Sequence, residues 1–312
     1  MAHHDHWQNY WNGSVTGSFG SDEPAWYRLH ILPRWQTLFE SLPDGSRILD
    51  IATGNGAVTR VALKVASSAG KQFEIEAVDR VSTRIIDGVT LLPPSSLEQF
   101  QPQAERYQLI SSQFGLEYAR PEPVIPRLAT ALKPEGRIAV IAHHVDSLIS
   151  HNSREELAQY RSLLQDFPVF ERMEKLILVM GEIRSTGDRK RLQHNPRAQQ
   201  ARLALNRCIA RLTGRHPQGI VVAEVLKQAQ YLFQQGISLS VRERTGHLKR
   251  LRQHTQQARQ RITDQLNAAL DGDRLGRLEQ LSIKAGLEAL RSAPILDEQG
   301  RLLAWELHCR KP

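Results

Sequence analysis

The stretch Ile48-Leu49-Asp50-Ile51-Ala52-Thr53-Gly54-Asn55-Gly56-Ala57 joins an apolar run to a glycine-bearing turn, and the turn opens into a helix-forming segment, Val58 to Ala66. That order predicts a strand, a tight turn and a helix. Glycines permit positive φ in the turn and let a ligand approach the backbone. The helix start behind them presents free N–H groups and the positive end of a dipole. Such a unit suits a nucleoside-containing cofactor; the plain alternative is a strand-turn-helix with no ligand. A dinucleotide site would carry G-x-G-x-x-G. Neither register fits, because Ala52 stands at the first glycine position of one and Thr59 at the third of the other. A carboxylate at Asp50 would repel a pyrophosphate, whereas it suits an amino-acid ammonium group.

The 312 residues allow one domain with a large insertion, or two domains. An apolar fraction of 40% with 24% charged residues describes a globular chain. No run approaches the roughly 20 apolar residues of a membrane span. Met1 to His6 lacks an apolar signal core, and its three histidines fit a disordered terminus better than a metal tract. The two cysteines, Cys208 and Cys309, lack metal-ligand spacing, which fits a reducing cytoplasm. No metal site is expected. The net charge of +8 is uneven: residues 145–270 hold 21 Lys and Arg against 11 Asp and Glu, and the remainder holds 20 against 22.

Residues 7–42 are rich in aromatics, among them Trp7, Tyr10, Trp11, Trp26, Tyr27, Trp35 and Phe39. A helix is expected from Asp22-Glu23-Pro24 to Leu42, serving as plain packing, as a cover over the cofactor site, or both. A strand-helix rhythm follows: strand Arg47–Ile51, helix Ala57–Ser67, strand Phe73–Val78 ending in Asp79, strand Tyr107–Ser112, helix Pro126–Leu132, a turn at Lys133-Pro134-Glu135-Gly136, and strand Arg137–Ala142. Alternating units of this kind imply a parallel sheet with ligands at the carboxyl ends of its strands. From Val145 to Leu270 helical periodicity takes over, with a capping box read at Ser153 and Glu156, breaks at Gly181, Gly187, Gly214 and Gly236, and a long amphipathic helix from Ser240 to Leu270. A helix over Leu275–Ala285 and strands over Leu287–Leu296 and Leu302–Cys309 close the chain. The fold class is therefore α/β: a Rossmann-like sheet with a terminal antiparallel hairpin, discontinuous over 1–144 and 271–312, with an all-helical insertion at 145–270.

Taken in order, these motifs resemble those of class I S-adenosylmethionine (SAM)-dependent methyltransferases, of the quinone- and small-molecule-type. Asp50 to Gly56 matches the family's acidic-x-G-x-G-x-G turn, with Ala52 in place of its first glycine, so Asp50, Ala52, Thr53, Gly54, Asn55 and Gly56 are implied at the cofactor. Asp79 stands where the family has an acidic residue that accepts both ribose hydroxyls, and Arg80 follows to cover the adenine face. Where the family places an Asp for the adenine amino group, this chain has Pro94-Ser95-Ser96; Ser95 and Ser96 can accept without charge, and Glu98 is a substitute. Ile110 to Tyr118 resembles the segment after the fourth strand, which implies Gln113 and Phe114 beside the transferred methyl. Ala131 to Arg137 resembles the family's L-K-P-G-G turn, a scaffold feature.

The resemblance implies methyl transfer from SAM to a small organic, and in one reading anionic, acceptor. His143 and His144 end the fifth strand, and alternation lets one of the two face the cleft; an imidazole titrating near neutrality would serve as a general base. Tyr10, Trp11, His30, Tyr118 and Glu117 are weaker candidates around the acceptor. The basic insertion, with residues such as Arg184, Arg189, Lys190, Arg197, Arg244 and Arg252, has three readings: a solvated face, recognition of an anion by a lid, or nucleic acid. It holds few aromatics for base stacking, and it is compatible with a homodimer. The alternatives to small-molecule methyl transfer are an RNA methyltransferase and a non-catalytic SAM-binding protein.

Overall fold

A computed structural model describes residues 5–12 and 24–312. Asp22 and Glu23, read as a helix start, lie outside these. In chain order the elements are α1 (Asp5–Asn12), a π-helical turn (Tyr27–Ile31), α2 (Leu32–Glu40), β1 (Arg47–Ile51), α3 (Ala57–Ala69), β2 (Glu74–Val78), β3 (Val89–Leu91), β4 (Tyr107–Gln113), α4 (Pro121–Ala131) and β5 (Leu132–Ala142). Six helices follow: α5 (Leu148–Arg161), α6 (Val169–Met180), α7 (Thr186–Gln193), α8 (Pro196–Arg215), α9 (Ile220–Phe233) and α10 (Val241–Ala268). The chain ends with α11 (Gly272–Lys284), β6 (Glu288–Leu296) and β7 (Leu302–Arg310). It divides into two compact units, Met1–His151 with Asp264–Pro312, and Asn152–Thr263.

The first unit is built on a seven-stranded sheet of order β3-β2-β1-β4-β5-β7-β6. The first five strands run parallel, and β7 is antiparallel to both β5 and β6. Both faces are covered, so the central strands read as nearly unbroken apolar runs. On one face Ile48, Ile75, Leu109 and Ile141 pack with Trp35 and Phe39 of α2 and with Val58 and Ala62 of α3. On the other, Leu49, Ile110, Val140 and Leu307 pack with Leu128 of α4 and Leu278 of α11. Among the described residues no helix is long and apolar enough to cross a membrane.

Several elements depart from the sequence reading. His6 belongs to α1 and is buried, its Nε2 2.8 Å from Asp264 Oδ2. The short strand β3 has no counterpart in the reading. The helix before β5 starts five residues early, at Pro121, because a first-turn proline loses no needed amide donor. Lys133 to Gly136 loops out of β5 as a bulge, shifting the register between Tyr107 opposite Leu132 and Leu109 opposite Arg137.

In the helical unit, the buried side chains of Phe170, Met173, Ile177, Leu205, Leu212, Val222 and Leu232 form a separate core. Ser153 and Glu156 lie inside α5, which is capped by Ser147: its hydroxyl accepts from the Ser150 N–H at 3.1 Å. Reciprocal capping occurs instead at Ser185 with Asp188 and at Ser240 with Glu243. Gly181 falls between helices and Gly236 in a short 3-10 turn between α9 and α10, while Gly187 and Gly214 are absorbed into α7 and α8. Arg244, counted with the basic surface, is fully buried and donates to the carbonyls of Leu239 and Gly181, tying the end of α6 to the start of α10.

At the carboxyl end of β1, the Asp50 side chain points into the face covered by α2 and α3. It is 2% exposed and accepts from Thr53 Oγ1 at 2.6 Å and Ser111 Oγ at 2.7 Å. Burial outweighs both bonds and pushes its pKa up from 3.8 to about 6. A carboxyl raised in the folded state favours folding below its unfolded value, and that advantage is lost as pH rises through the folded one. Asp50→Asn removes the charge and keeps the volume. It is therefore expected to stabilise the ligand-free protein by about 1–3 kcal/mol at neutral pH. Urea unfolding at two pH values checks this: the gain should be larger at about pH 7.5 than at about pH 5. A variant less stable than wild type at the higher pH would contradict the account.

Candidate functional site

The strand order reverses between β1 and β4, and open parallel sheets hold their ligands at the carboxyl ends beside such a point. Here the backbone is strained. Ala52 after β1 has φ 52° and Phe114 after β4 has φ 54°, with Gly54 at 53° and Gly56 at 77° between them and α3. A side-chain-bearing residue in this region costs on the order of 1–2 kcal/mol, and such outliers gather at ligand sites. The two turns touch: a Cβ on Gly115 would come within 2.4 Å of the Ala52 Cβ. Gly54 is covered instead by the Trp11 indole, which a Cβ there would meet at 2.6 Å.

Beside this junction lies a cavity of about 440 Å³. Ala52, Asp79, Arg80, Ser95, Ser96 and Phe114 line it, all expected cofactor residues, together with Trp11 and Tyr118. Glu98, the substitute for the adenine contact, lines it as well. Asp79 accepts from the Gly54 N–H at 2.8 Å and the Val81 N–H at 3.2 Å. An ionised carboxylate has about four acceptor positions, so two amides leave capacity for further donors. Burial raises the Asp79 pKa.

Other expected residues hold the frame. Thr53 and Asp50 lie beneath the turn, Gly56 caps α3, and Asn55 Nδ2 donates to the Trp11 carbonyl at 3.1 Å. Gln113 Oε1 accepts from Trp35 Nε1 at 2.7 Å and from the Tyr27 hydroxyl at 3.3 Å, so this side chain anchors the N-terminal helices and does not line the cavity. Tyr10 packs edge-on against Trp7 and Trp11. His30 lies 3.0 Å from Glu298 in the β6–β7 turn and is not a lining residue.

The two histidines ending β5 point apart. His143 stacks on Phe114 with ring centres 4.4 Å apart, and His144 stacks on Trp305 at the same spacing. His143 thus packs against Phe114, a lining residue, and is not itself a lining residue of the cavity. Its expected near-neutral titration is not met: burial pushes its pKa down to about 3, so the imidazole is neutral at physiological pH, and its Nδ1 has no hydrogen-bond partner among the described residues. Burial lowers His144 as well.

Sequence reasoning did not single out Trp7 for the site. Its indole meets Tyr118 edge-on at 5.7 Å and donates to Asp264 Oδ2 at 3.3 Å. The aromatic density of residues 7–42 was the available signal. Trp7, Arg80 and Tyr118 also wall a second cavity of about 660 Å³. Glu117 opens onto this one, a residue ranked only as a weaker candidate. It is 6% exposed, its Oε1 accepts from the His143 N–H at 2.9 Å, and burial pushes its pKa up to about 7. Arg274 and Asp264 reach the same wall from the far end of the chain, where no local motif marks them.

No family model matches this sequence, and no curated protein does. Among solved structures, a SAM-dependent methyltransferase of Mesorhizobium loti is 20% identical over 37% of this chain, with a TM-score of 0.31; the match spans about half of that protein, 54%. A Listeria monocytogenes protein assigned as a SAM-dependent methyltransferase is 11% identical, covering 89% of this chain and 97% of its own, with a TM-score of 0.41. Burkholderia thailandensis 1,6-didemethyltoxoflavin-N1-methyltransferase, with bound 1,6-didemethyltoxoflavin and S-adenosylhomocysteine, is 11% identical over 90% of this chain and 77% of its own, also at 0.41. Five parallel strands in the order 3-2-1-4-5, completed by an antiparallel β7 and its hairpin partner β6, give the chain the class I methyltransferase fold.

Proposed function

We propose that the protein binds SAM at the junction of β1 and β4 and transfers its methyl group to a small organic acceptor. The observation that carries this reading is a single cavity lined by the strained Ala52 turn and the Asp79 carboxylate together. The residues present fit the cofactor. Gly115 lets the β4 turn close on Ala52 and Gly54 lets the Trp11 indole lie against the β1 turn, close approaches that a side chain at either position would break. Asp79 keeps acceptor capacity for a ribose, Ser95, Ser96 and Glu98 offer acceptors to an adenine amino group, and Arg80 supplies a planar cation for its face. Asp50 beneath the turn supplies a negative charge toward an ammonium group, acting through the turn it holds. When bound, SAM supplies a methyl group on a sulfonium, which a nucleophile can take while the bonding pair stays with sulfur.

The chain's own contribution is orientation and exclusion of water. Phe114 walls the cavity at the end of β4, and the neutral His143 ring stacks against Phe114 and fixes it in place. His144, turned onto Trp305, is assigned a packing role. Residues 145–270 leave the sheet just after His144 and return at Leu270, whose N–H donates to the His143 carbonyl at 2.8 Å, which ties the two ends of that segment together at the carboxyl end of β5.

Calorimetry with SAM and S-adenosylhomocysteine tests the reading. Wild type should bind both. Asp79→Ala should bind about 10–100-fold more weakly, the worth of hydrogen bonds to a charged acceptor. Asp79→Asn, which keeps an acceptor for the Gly54 N–H, separates lost charge from a loosened turn. Absence of binding by folded wild type would sink the proposal. Trp7 and Trp11 line the cavity, so S-adenosylhomocysteine should also change the intrinsic tryptophan emission. The Trp7→Phe, Trp11→Phe double variant should lose most of that change, and a response unaltered in it would place the ligand elsewhere.

A further inference from the structure

The second cavity is not explained by the cofactor. It adjoins the first across a shared wall of Trp7, Arg80 and Tyr118, and it is lined by chemistry of a different kind. We propose that it receives the methyl acceptor as a small aromatic carboxylate bearing a hydroxyl or amine, and that Glu117 Oε2 takes the proton which that group gives up. This rests on the SAM reading above.

Geometry selects Glu117. One carboxyl oxygen is held by the His143 N–H, which fixes the side chain, while Oε2 is buried without a hydrogen-bond partner among the described residues. A buried acceptor left unmatched is costly, on the order of 1–3 kcal/mol, and a ligand donor would relieve it. In the transfer, the acceptor's O–H or N–H bond breaks, the electron pair stays on its heteroatom, and the proton forms an O–H bond on Oε2. The carboxyl returns it to water afterwards. The nearby imidazole is a poor competitor, since burial keeps His143 neutral down to about pH 3.

The lining selects the acceptor class. Arg80 is committed to the cofactor side, Arg277 is engaged by Glu122, and Arg274 donates to the carbonyls of Asn267 and Ala269, whereas Arg120 lines this cavity with no ion pair within 4 Å among the described residues. An uncommitted guanidinium on this wall suits a carboxylate. The edge-on pair of Trp7 and Tyr118 offers ring faces to an aromatic body. The titratable and charged groups around Glu117 come from every side: Tyr118 on its own turn, the neutral His143 just after β5, Arg274 from α11, Asp264 from α10 and Arg80 after β2. Asp264 is held by His6 and Trp7. Desolvation dominates these, which leaves the carboxyl protonated below about pH 7 and able to accept only above it.

The test uses the full chain. In ligand-free protein carrying 13C-labelled Glu carboxyls, one resonance should titrate near pH 7 and vanish in Glu117→Gln, a substitution that keeps the acceptor for the His143 N–H. No Glu carboxyl titrating above about pH 6, or one persisting in the variant, would overturn the assignment. With S-adenosylhomocysteine present, 4-hydroxybenzoate should bind at least about tenfold more tightly than neutral 4-hydroxybenzamide, the worth of one charge-assisted contact. The preference should disappear in Arg120→Ala, a variant that leaves the residues assigned to the cofactor untouched. Equal binding of the two probes, or none, while S-adenosylhomocysteine still binds, overturns the acceptor site alone. Loss of S-adenosylhomocysteine binding by wild type overturns the cofactor reading beneath it.

Discussion

A carboxylate with no access to water must be solvated by the protein itself. At Asp50 two hydroxyls do this, one from the turn that follows β1 and one from β4. Thr53 and Ser111 therefore cannot move apart without stranding a buried charge, an event worth several kcal/mol. This single constraint sets the spacing of the two strand ends. The contact of Gly115 with Ala52, the left-handed backbone at Ala52 and Phe114, and the cavity between the turns and Asp79 all inherit it. The protein tolerates a charge that opposes its own folding at the one place where the sheet changes direction.

Burial also reorders the titratable groups near the cavity. In water an imidazole holds its proton more tightly than a carboxyl. Here Glu117 is raised to about 7 and His143 falls to about 3, so the order is reversed. The cause is common to both: desolvation penalises whichever form is charged, anion for one and cation for the other. The two are linked by one hydrogen bond from the His143 backbone to Glu117. A histidine at a strand end thus contributes a backbone donor and a flat neutral ring, and the adjoining acid carries the titration into the physiological range.

The parts legible in the sequence were those dictated by short-range physics. β1 was bounded to the residue because an apolar run meets Asp50 and a glycine turn, and the start of β7 because a four-residue turn rich in polar groups precedes it, while its end lies one residue past Cys309. β3 escaped because Val89-Thr90-Leu91 is too short to show a period of two. Ser153 and Glu156 have the spacing of a capping box, but the chain is already helical there, since Ser147 takes the role six residues earlier. Arg244 reads as one more surface cation, and only the convergence of two helix ends shows it to be internal. The same limit applies at the site. Ala52, Asp79 and Phe114 could be placed from local order. Gln113 could not be aimed, because its partners, Tyr27 and Trp35, are set by how the N-terminal helices pack. Trp7, Asp264 and Arg274 meet through contacts spanning most of the chain, which no local pattern encodes.

The helix α1 closes the molecule at its carboxyl edge. Asp264 holds His6 and Trp7, Ser82 exchanges two hydrogen bonds with Gln8, and the Trp11 ring lies on Gly54. A short edge segment of a fold opens more often than its core unfolds, and α1 is eight residues long. Whatever occupies the cavity is walled on this side by α1. Its residence time is then governed by how often the helix lifts as well as by how well the cavity fits, and changes at Asp264 or Ser82, remote from any bound group, would reset the clock for exchange.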